Sequence, residues 1–270
     1  MTQPSSPLIE IDGAPATVET LAPVLGGYGH FTAMQVRDGR VRGLRFHLAR
    51  LDGATRELFG TPLDGERVRA YVRHALASAR AADPSRPADA SVRVNVFQPA
   101  DVPGTPVAVM VAVRQPAAMP EGPYRVKSVP YLRPVAHLKH VGGFAQGYFG
   151  RQVAAEGYQE ALLTGPDGGV AEGAITNIGF VAGDTVVWPQ GPQLRGITWQ
   201  VLEEVLNAVG VPQVSRPVGL ADVGTYDGAF VVNSRGTATV SRIDDTPVPM
   251  DAELLGRVAK LYESAPWDEI

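Results

Sequence analysis

Three groups of residues between positions 137 and 198 have types and spacing that could do chemistry together. Lys139 stands in HLKHVGGF, between two histidines and ahead of two glycines that let a bulky planar group approach the backbone. A lysine in such apolar surroundings can give up its proton and attack a carbonyl carbon, forming a Schiff base. Glu172 follows the turn GPDGGV and opens EGAITNIGF. A carboxylate fixed beside a pyridine nitrogen keeps that nitrogen protonated, so that the ring accepts electrons. Gly196, Ile197 and Thr198 precede the helical stripe Val201, Leu202, Val205 and Leu206, where free N–H groups and the helix dipole attract an anion and Thr198 is expected as the N-cap. Together these three groups could hold a phosphorylated aldehyde. Taken singly, each has an ordinary reading: a surface lysine, a solvated glutamate, a capped helix.

Other residues could complete such a site. NSRGTAT, Asn233 to Thr239, is a second candidate anion loop after a strand, with Gly236 offering its backbone or Thr237 its hydroxyl; a plain turn is the alternative. HLARL, 47–51, begins a helix and could direct Arg50 toward a phosphate. Arg93, on a strand of alternating residues, points either into a cleft or to solvent. Asn177 is expected to close the irregular segment after Glu172 by bonding backbone. Of the five histidines only His137 and His140 have a spacing that suggests a metal pair, and the neighbourhood offers no third and fourth ligand, so no metal is expected.

The elements that must position these residues follow from periodicity. A strand at 8–12 leads to a second at 29–37; Asp38-Gly39 between apolar runs signals a hairpin, whose return strand is expected from Arg40 to Phe46 before a helix from His47. A helix at 65–82 and strands at 91–97 and 107–113 precede the proline-rich segment 115–123, which has no periodicity and marks a domain boundary. Beyond it the expected elements are a strand at 124–131, a helix near 145–156, strands at 160–164, 177–181 and 185–188, a helix at 198–209, strands at 213–217, 228–233 and 237–243 with a short helix near 219–224, and a last helix at 250–264. The pattern is α+β, two domains of mixed sheets with flanking helices.

Composition removes several classes of function. The chain has 270 residues, 44% of them hydrophobic, enough for proper cores. Its net charge is −4 with no block of one sign, so nucleic acid is not an expected partner. It contains no cysteine, which excludes thiol nucleophiles, disulfides and cysteine-held metals. No run of about 18 apolar residues suggests a membrane span, and the start MTQPSSPLIEIDG lacks a basic segment followed by an apolar block; a cytoplasmic location is expected.

In order, HLARL, LKHVGG, GYQEAL followed by EGAITN, and LRGIT resemble the motifs of the fold type IV pyridoxal-phosphate family, which includes branched-chain and D-amino-acid aminotransferases and aminodeoxychorismate lyase. The resemblance covers most of the chain. It implies a smaller N-terminal domain, 1–118, a larger C-terminal domain, 119–270, a homodimer, and pyridoxal 5'-phosphate as cofactor. Lys139 would form the Schiff base and move the substrate's proton, and Glu172 would meet the pyridine nitrogen. Arg50, Ile197, Thr198 and Gly236 or Thr237 would hold the phosphate, Phe31 and Arg93 would contact substrate, and Thr32 would line the pocket. Departures bear on the reaction. Phe31-Thr32 stands where the aminotransferases usually carry an aromatic–Glu pair, and this strand and LKHV look lyase-like. Phe144 replaces the tyrosine often found five residues after the lysine, and Arg235-Gly236 replaces the usual Gly-Thr or Thr-Thr. The favoured expectation is amino-group transfer between an amino acid or amine and a keto acid. The alternatives are elimination of pyruvate with Thr32 as proton relay, against which VFQPADVPGTP lacks the basic residues expected for a dicarboxylated ring, and a non-catalytic relative.

Overall fold

Alternate residues of the strand His30–Val36 are buried, while Phe31, Ala33 and Gln35 are half-exposed, as a strand with one face on a core must be. The computed structural model describes residues 6–85, 87–100, 102 and 104–270. Sequence readings that touch residues 1–5, Arg86, Asp101 and Pro103 lie in that part outside the described residues.

The chain separates into two compact units. The N-terminal unit holds the chain up to Ala117, Leu138–Gly142 and Pro266–Ile270. Its five-stranded antiparallel sheet runs, edge to edge, Ala14–Pro15, Leu8–Ile11, Ala108–Arg114, Ala90–Phe97 and His30–Val36. The helices Leu44–Phe59 and Gly65–Ala82 supply Leu44, Leu51, Val68, Val72 and Ala75 to the core under it. Asp38 and Gly39 both have positive φ, 48° and 71°, the pair a tight hairpin with right-handed strand twist requires. The return strand is Arg40–Val41 alone, shorter than the expected 40–46. Gly43, at φ 68°, turns the chain into a helix that starts at Leu44 rather than His47, and Asp268 Oδ2 accepts the Leu44 N–H at 2.8 Å.

The C-terminal unit, Ala118–His137 with Gly143–Ala265, is built on a nine-stranded mixed sheet. Tyr124–Pro130 runs parallel to both Gly236–Ile243 and Glu160–Thr164, and Val170–Gly173 closes the edge beside Glu160–Thr164. That four-residue edge strand is absent from the sequence expectations, because GGVAEG is too short and too glycine-rich to show a period. On the other side follow Gly228–Asn233, Asn177–Ala182, Thr185–Pro189 and Gln213–Arg216. The helices Ile197–Ala208 and Glu253–Glu263 pack Trp199, Leu202, Leu206, Leu254, Leu255 and Val258 with Trp188 and Phe230 of the sheet; the helix Phe144–Ala155 contributes Val153 to a separate small core. Among the described residues no helix is long and apolar enough to cross a membrane.

Candidate functional site

In the C-terminal unit, the sequence candidates join through hydrogen bonds into one network. Glu172 sits on the edge strand opposite Leu163 and is 5% exposed. Its Oε1 lies 2.7 Å from Arg133 Nε in an ion pair buried on both sides, and its Oε2 accepts the Leu194 N–H at 3.1 Å. Leu194 in turn gives its carbonyl to Asn177 Nδ2 at 2.7 Å, so Asn177 closes the irregular segment as its position suggested. A Cβ on Gly196 would lie 2.1 Å from Asn177 Oδ1; only glycine allows the turn to pass so close.

The next helix starts at Ile197, with Gly196 as its N-cap and no side chain capping it. Thr198 is therefore not the N-cap. It lies one residue inside the helix, and its hydroxyl donates to the Asn233 carbonyl at 2.6 Å. That bond ties the helix start to the second candidate loop, where Asn233 pairs with Gly236 across a tight turn and Asn233 Oδ1 accepts the Arg235 N–H. Gly236 has φ 135°, a conformation essentially reserved for glycine, and Thr237 follows it half-buried. The donor set suits a phosphorylated pyridine: an uncapped helix start offers N–H groups to an anion. The Glu172 carboxylate, buried and fixed by Arg133 and the Leu194 N–H, is the group of this set whose charge suits a protonated pyridine nitrogen.

In the N-terminal unit a second group forms around Phe31. The Phe31 N–H donates to the Lys139 carbonyl at 2.9 Å and the Val141 N–H to the Gly29 carbonyl at 3.0 Å, laying the lysine segment along the edge strand. Lys139 Nζ is 4.9 Å and Arg93 Cζ 3.6 Å from the Phe31 ring centre. Arg93 donates from Nε to Asn95 Oδ1 at 2.9 Å; burial first, and then the charge of Arg114, pull its guanidinium below the usual value. Arg50 is half-buried on the Leu44 helix, and its charge adds to the burial that takes His47 down to about 3.

Thr32 is on the other face of that strand. It is fully buried, and its Oγ1 is 2.7 Å from His47 Nδ1. The alternation that turns Phe31 and, on the paired strand, Arg93 one way turns Thr32 the opposite way, into the core with Met34 and Val36. The Thr32 hydroxyl is thus committed to His47, on the strand face opposite Phe31. Phe144 is 84% exposed and stacks on Tyr148. His140 bridges to His30 in the N-terminal unit while His137 belongs to the C-terminal one, and among the described residues no group of three or more His, Asp or Glu could hold a metal ion. Arg133, which fixes Glu172, is absent from the sequence reading. Its signal is faint: an arginine between Leu132 and Pro134, in a segment too short for periodicity and 39 residues before its partner.

Comparison with known proteins bears on both groups. The sequence profile of the family described as amino-transferase class IV matches residues 29–243, which takes in every candidate site residue named above. A probable branched-chain-amino-acid aminotransferase of Rickettsia felis is 34% identical over 96 residues, and that match spans 35% of this chain and 32% of the relative, about a third of each. Solved structures share the fold along nearly the whole chain. A hypothetical aminotransferase from Mycobacterium tuberculosis in its PLP-bound form has TM-score 0.80 at 22% identity, covering 95% of this chain and 98% of that one. The branched-chain aminotransferase of the thermophilic archaeon Thermoproteus uzoniensis with norvaline has TM-score 0.80 at 21% identity, covering 95% and 93%. At these identities the structural likeness establishes the fold, fold type IV, and the profile match over most of the length establishes the rest: this chain belongs to the class IV aminotransferase family.

Proposed function

We propose that the chain transfers an amino group between an amino acid or amine and a keto acid, using pyridoxal 5'-phosphate. The observation that carries the reading is the connected set Glu172, Leu194, Gly196 to Thr198 and Asn233 to Thr237, which offers one buried carboxylate and one uncapped helix start in a single unit. When bound, pyridoxal 5'-phosphate supplies an electron sink for the pair of electrons left when a proton leaves the substrate's α-carbon.

The chain's own residues do the rest. Lys139 Nζ would hold the cofactor through its aldehyde and, as general base and acid, would accept and return the substrate's α-proton. Glu172, held by Arg133, would keep the proton on the ring nitrogen. Arg50, the backbone N–H groups of Ile197 and Thr198, and Gly236 by its backbone or Thr237 by its hydroxyl would bind the phosphate, while the Thr198 hydroxyl stays on the Asn233 carbonyl. Phe31 and Arg93 meet the substrate, Arg93 through its carboxylate. Thr32 acts at one remove, through His47. The lyase alternative loses support because a hydroxyl bound to His47 in the core is not placed to relay a proton.

We read residues 1–118 and 119–270 as the two domains and the active form as a cytoplasmic homodimer; light scattering should then give twice the 28.6 kDa chain mass. The function is tested by adding a panel of L- and D-amino acids and amines to the cofactor-loaded protein and following its absorbance and the keto acid formed. Conversion to the amine form with stoichiometric keto acid is expected, and Lys139→Ala should abolish it. Release of pyruvate from aminodeoxychorismate without conversion would instead support the lyase, and a protein that never takes up the cofactor would support the non-catalytic relative.

A further inference from the structure

The chain turns from Glu172 to Asn177 in a few residues, and the inside of that turn is filled by a second carboxylate. Glu160, 4% exposed, begins the strand Glu160–Thr164 and pairs with Val126. Its Oε1 accepts the Ala161 N–H at 3.0 Å, and the Ala174 N–H beside it donates to the Ala161 carbonyl at 2.9 Å. A Cβ on Gly173 would lie 3.1 Å from Glu160 Cγ, 3.2 Å from its Cδ and 2.0 Å from Thr176 Oγ1. Glycine, carboxyl and hydroxyl thus crowd around one point. Glu160 Oε2 and Thr176 Oγ1 are both buried, and neither has a hydrogen-bond partner among the described residues.

Unlike Glu172, Glu160 has no cation on it among the described residues. The Tyr124 phenol faces it and keeps its own proton, first through burial and then through the Glu160 charge. On the same strand Arg125 donates to the Gly157 carbonyl and Lys127 lies 3.8 Å from Glu156. Glu172 on the adjacent strand is bound to Arg133, and Arg151 on the helix Phe144–Ala155 is exposed. None of these charges moves the Glu160 proton; burial pushes its carboxyl up to about 7, opposed in part by the Ala161 N–H.

We propose that Glu160 is a positioning residue whose carboxyl group, shared with the Thr176 hydroxyl, clamps the turn 173–176 and so holds Glu172 toward Arg133 and the Leu194 N–H. The effect on a cofactor rests on the function proposed above; the clamp does not. A protonated carboxyl can donate to Thr176 Oγ1 while accepting from Ala161, whereas an ionised one would stand buried without a cation. The clamp therefore holds below the pH at which Glu160 ionises and loosens above it.

The test is amide hydrogen exchange of the full chain without cofactor, between pH 5 and 8.5 as a working range around that carboxyl's titration, corrected for intrinsic rates and followed in peptides spanning 170–178 and 190–198. Protection should fall as pH rises through about 7. Glu160→Gln, which keeps an acceptor and a donor in place, should hold its protection and lose the pH dependence. Glu160→Ala should exchange faster by about tenfold in both peptides, the size of one lost buried hydrogen bond. Unchanged protection in Glu160→Ala overturns the clamp. If that variant does not fold, Glu160→Gln decides: retention of the wild-type pH dependence overturns it as well. With cofactor added, the pH response of its absorbance should flatten in Glu160→Gln. A flattened exchange profile with an unaltered cofactor response would overturn the reach to the ring nitrogen while leaving the clamp standing.

Discussion

In the N-terminal unit the buried ionisable groups include imidazoles, His47 on the Thr32 hydroxyl at 2.7 Å and His30 on the Thr55 hydroxyl at 2.9 Å. In the C-terminal unit the buried carboxyl groups are Glu160 and Glu172, and among the described residues Glu172 is the one that lies against a buried guanidinium, whereas the N-terminal unit's buried carboxyl, Glu10, meets the exposed ring of His74. A neutral group needs only a hydroxyl, since burial alone drives the imidazole to its uncharged form: His30 is taken down to about 4 and His47 to about 3, chiefly by desolvation. A carboxylate that must remain charged needs a cation buried with it. The placement of Arg133 therefore separates the carboxylate whose charge is used from the one whose shape is used.

The most severe way to break that contrast is Arg133→Met, which leaves Glu172 buried without its cation. A loss of about 3–5 kcal/mol in urea unfolding is expected, and the cofactor should bind more weakly. A stability equal to wild type would mean that the pair does not hold Glu172 charged.

Acid should separate the two units next. The stabilisation due to neutral His30 and His47 is complete above pH 6.5 and lost as pH falls through that value toward 4 and 3, on the order of 3 kcal/mol for each group. Glu160 runs the other way: its contribution is full below about 4.5 and lost as pH rises through about 7. Exchange in peptides 30–36 and 44–59 should thus rise toward low pH while the turn 173–176 tightens. A common direction in both units would refute the contrast.

Thr32→Val should cost about 1–3 kcal/mol, the range for stranding a buried hydrogen-bonding group on His47, and lower kcat only as far as stability falls. A large loss of kcat in a fully folded Thr32→Val would restore a direct catalytic part for the hydroxyl. The smallest effect is expected from Thr198→Val, about 0.5–1.5 kcal/mol for its bond to the Asn233 carbonyl, with weaker retention of the cofactor on dilution.

How much of the molecule is legible in its sequence depends on how local the signal is. Lys139, Glu172 and the Gly196 to Thr198 turn lie in short motifs, and the strands and helices around them show clear periods; the helix Gly65–Ala82 has the expected bounds. The face of Thr32 is not legible in the sequence because alternation tells which residues share a side but not which side is the core until the helix from Leu44 is placed on it. Arg133 is invisible because its partner is distant in sequence and its own segment forms neither helix nor strand. Glu160 is visible as a letter of GYQEAL, but burial without a cation is a property of the fold.

Gly173 carries a consequence for how this chain can vary. Its missing side chain, the Thr176 hydroxyl and the Glu160 carboxyl occupy one shared space, so the three positions are not independent variables. Changed one at a time, each would be scored as intolerant: a larger residue at 173 collides, and a smaller one at 160 or 176 opens a void beside a buried polar atom. A joint change, with alanine at 173 accompanied by smaller residues at 160 and 176, follows a path that single substitutions hide. The intolerance of each position is then a statement about its two companions, and a lineage that altered this corner would have had to move all three.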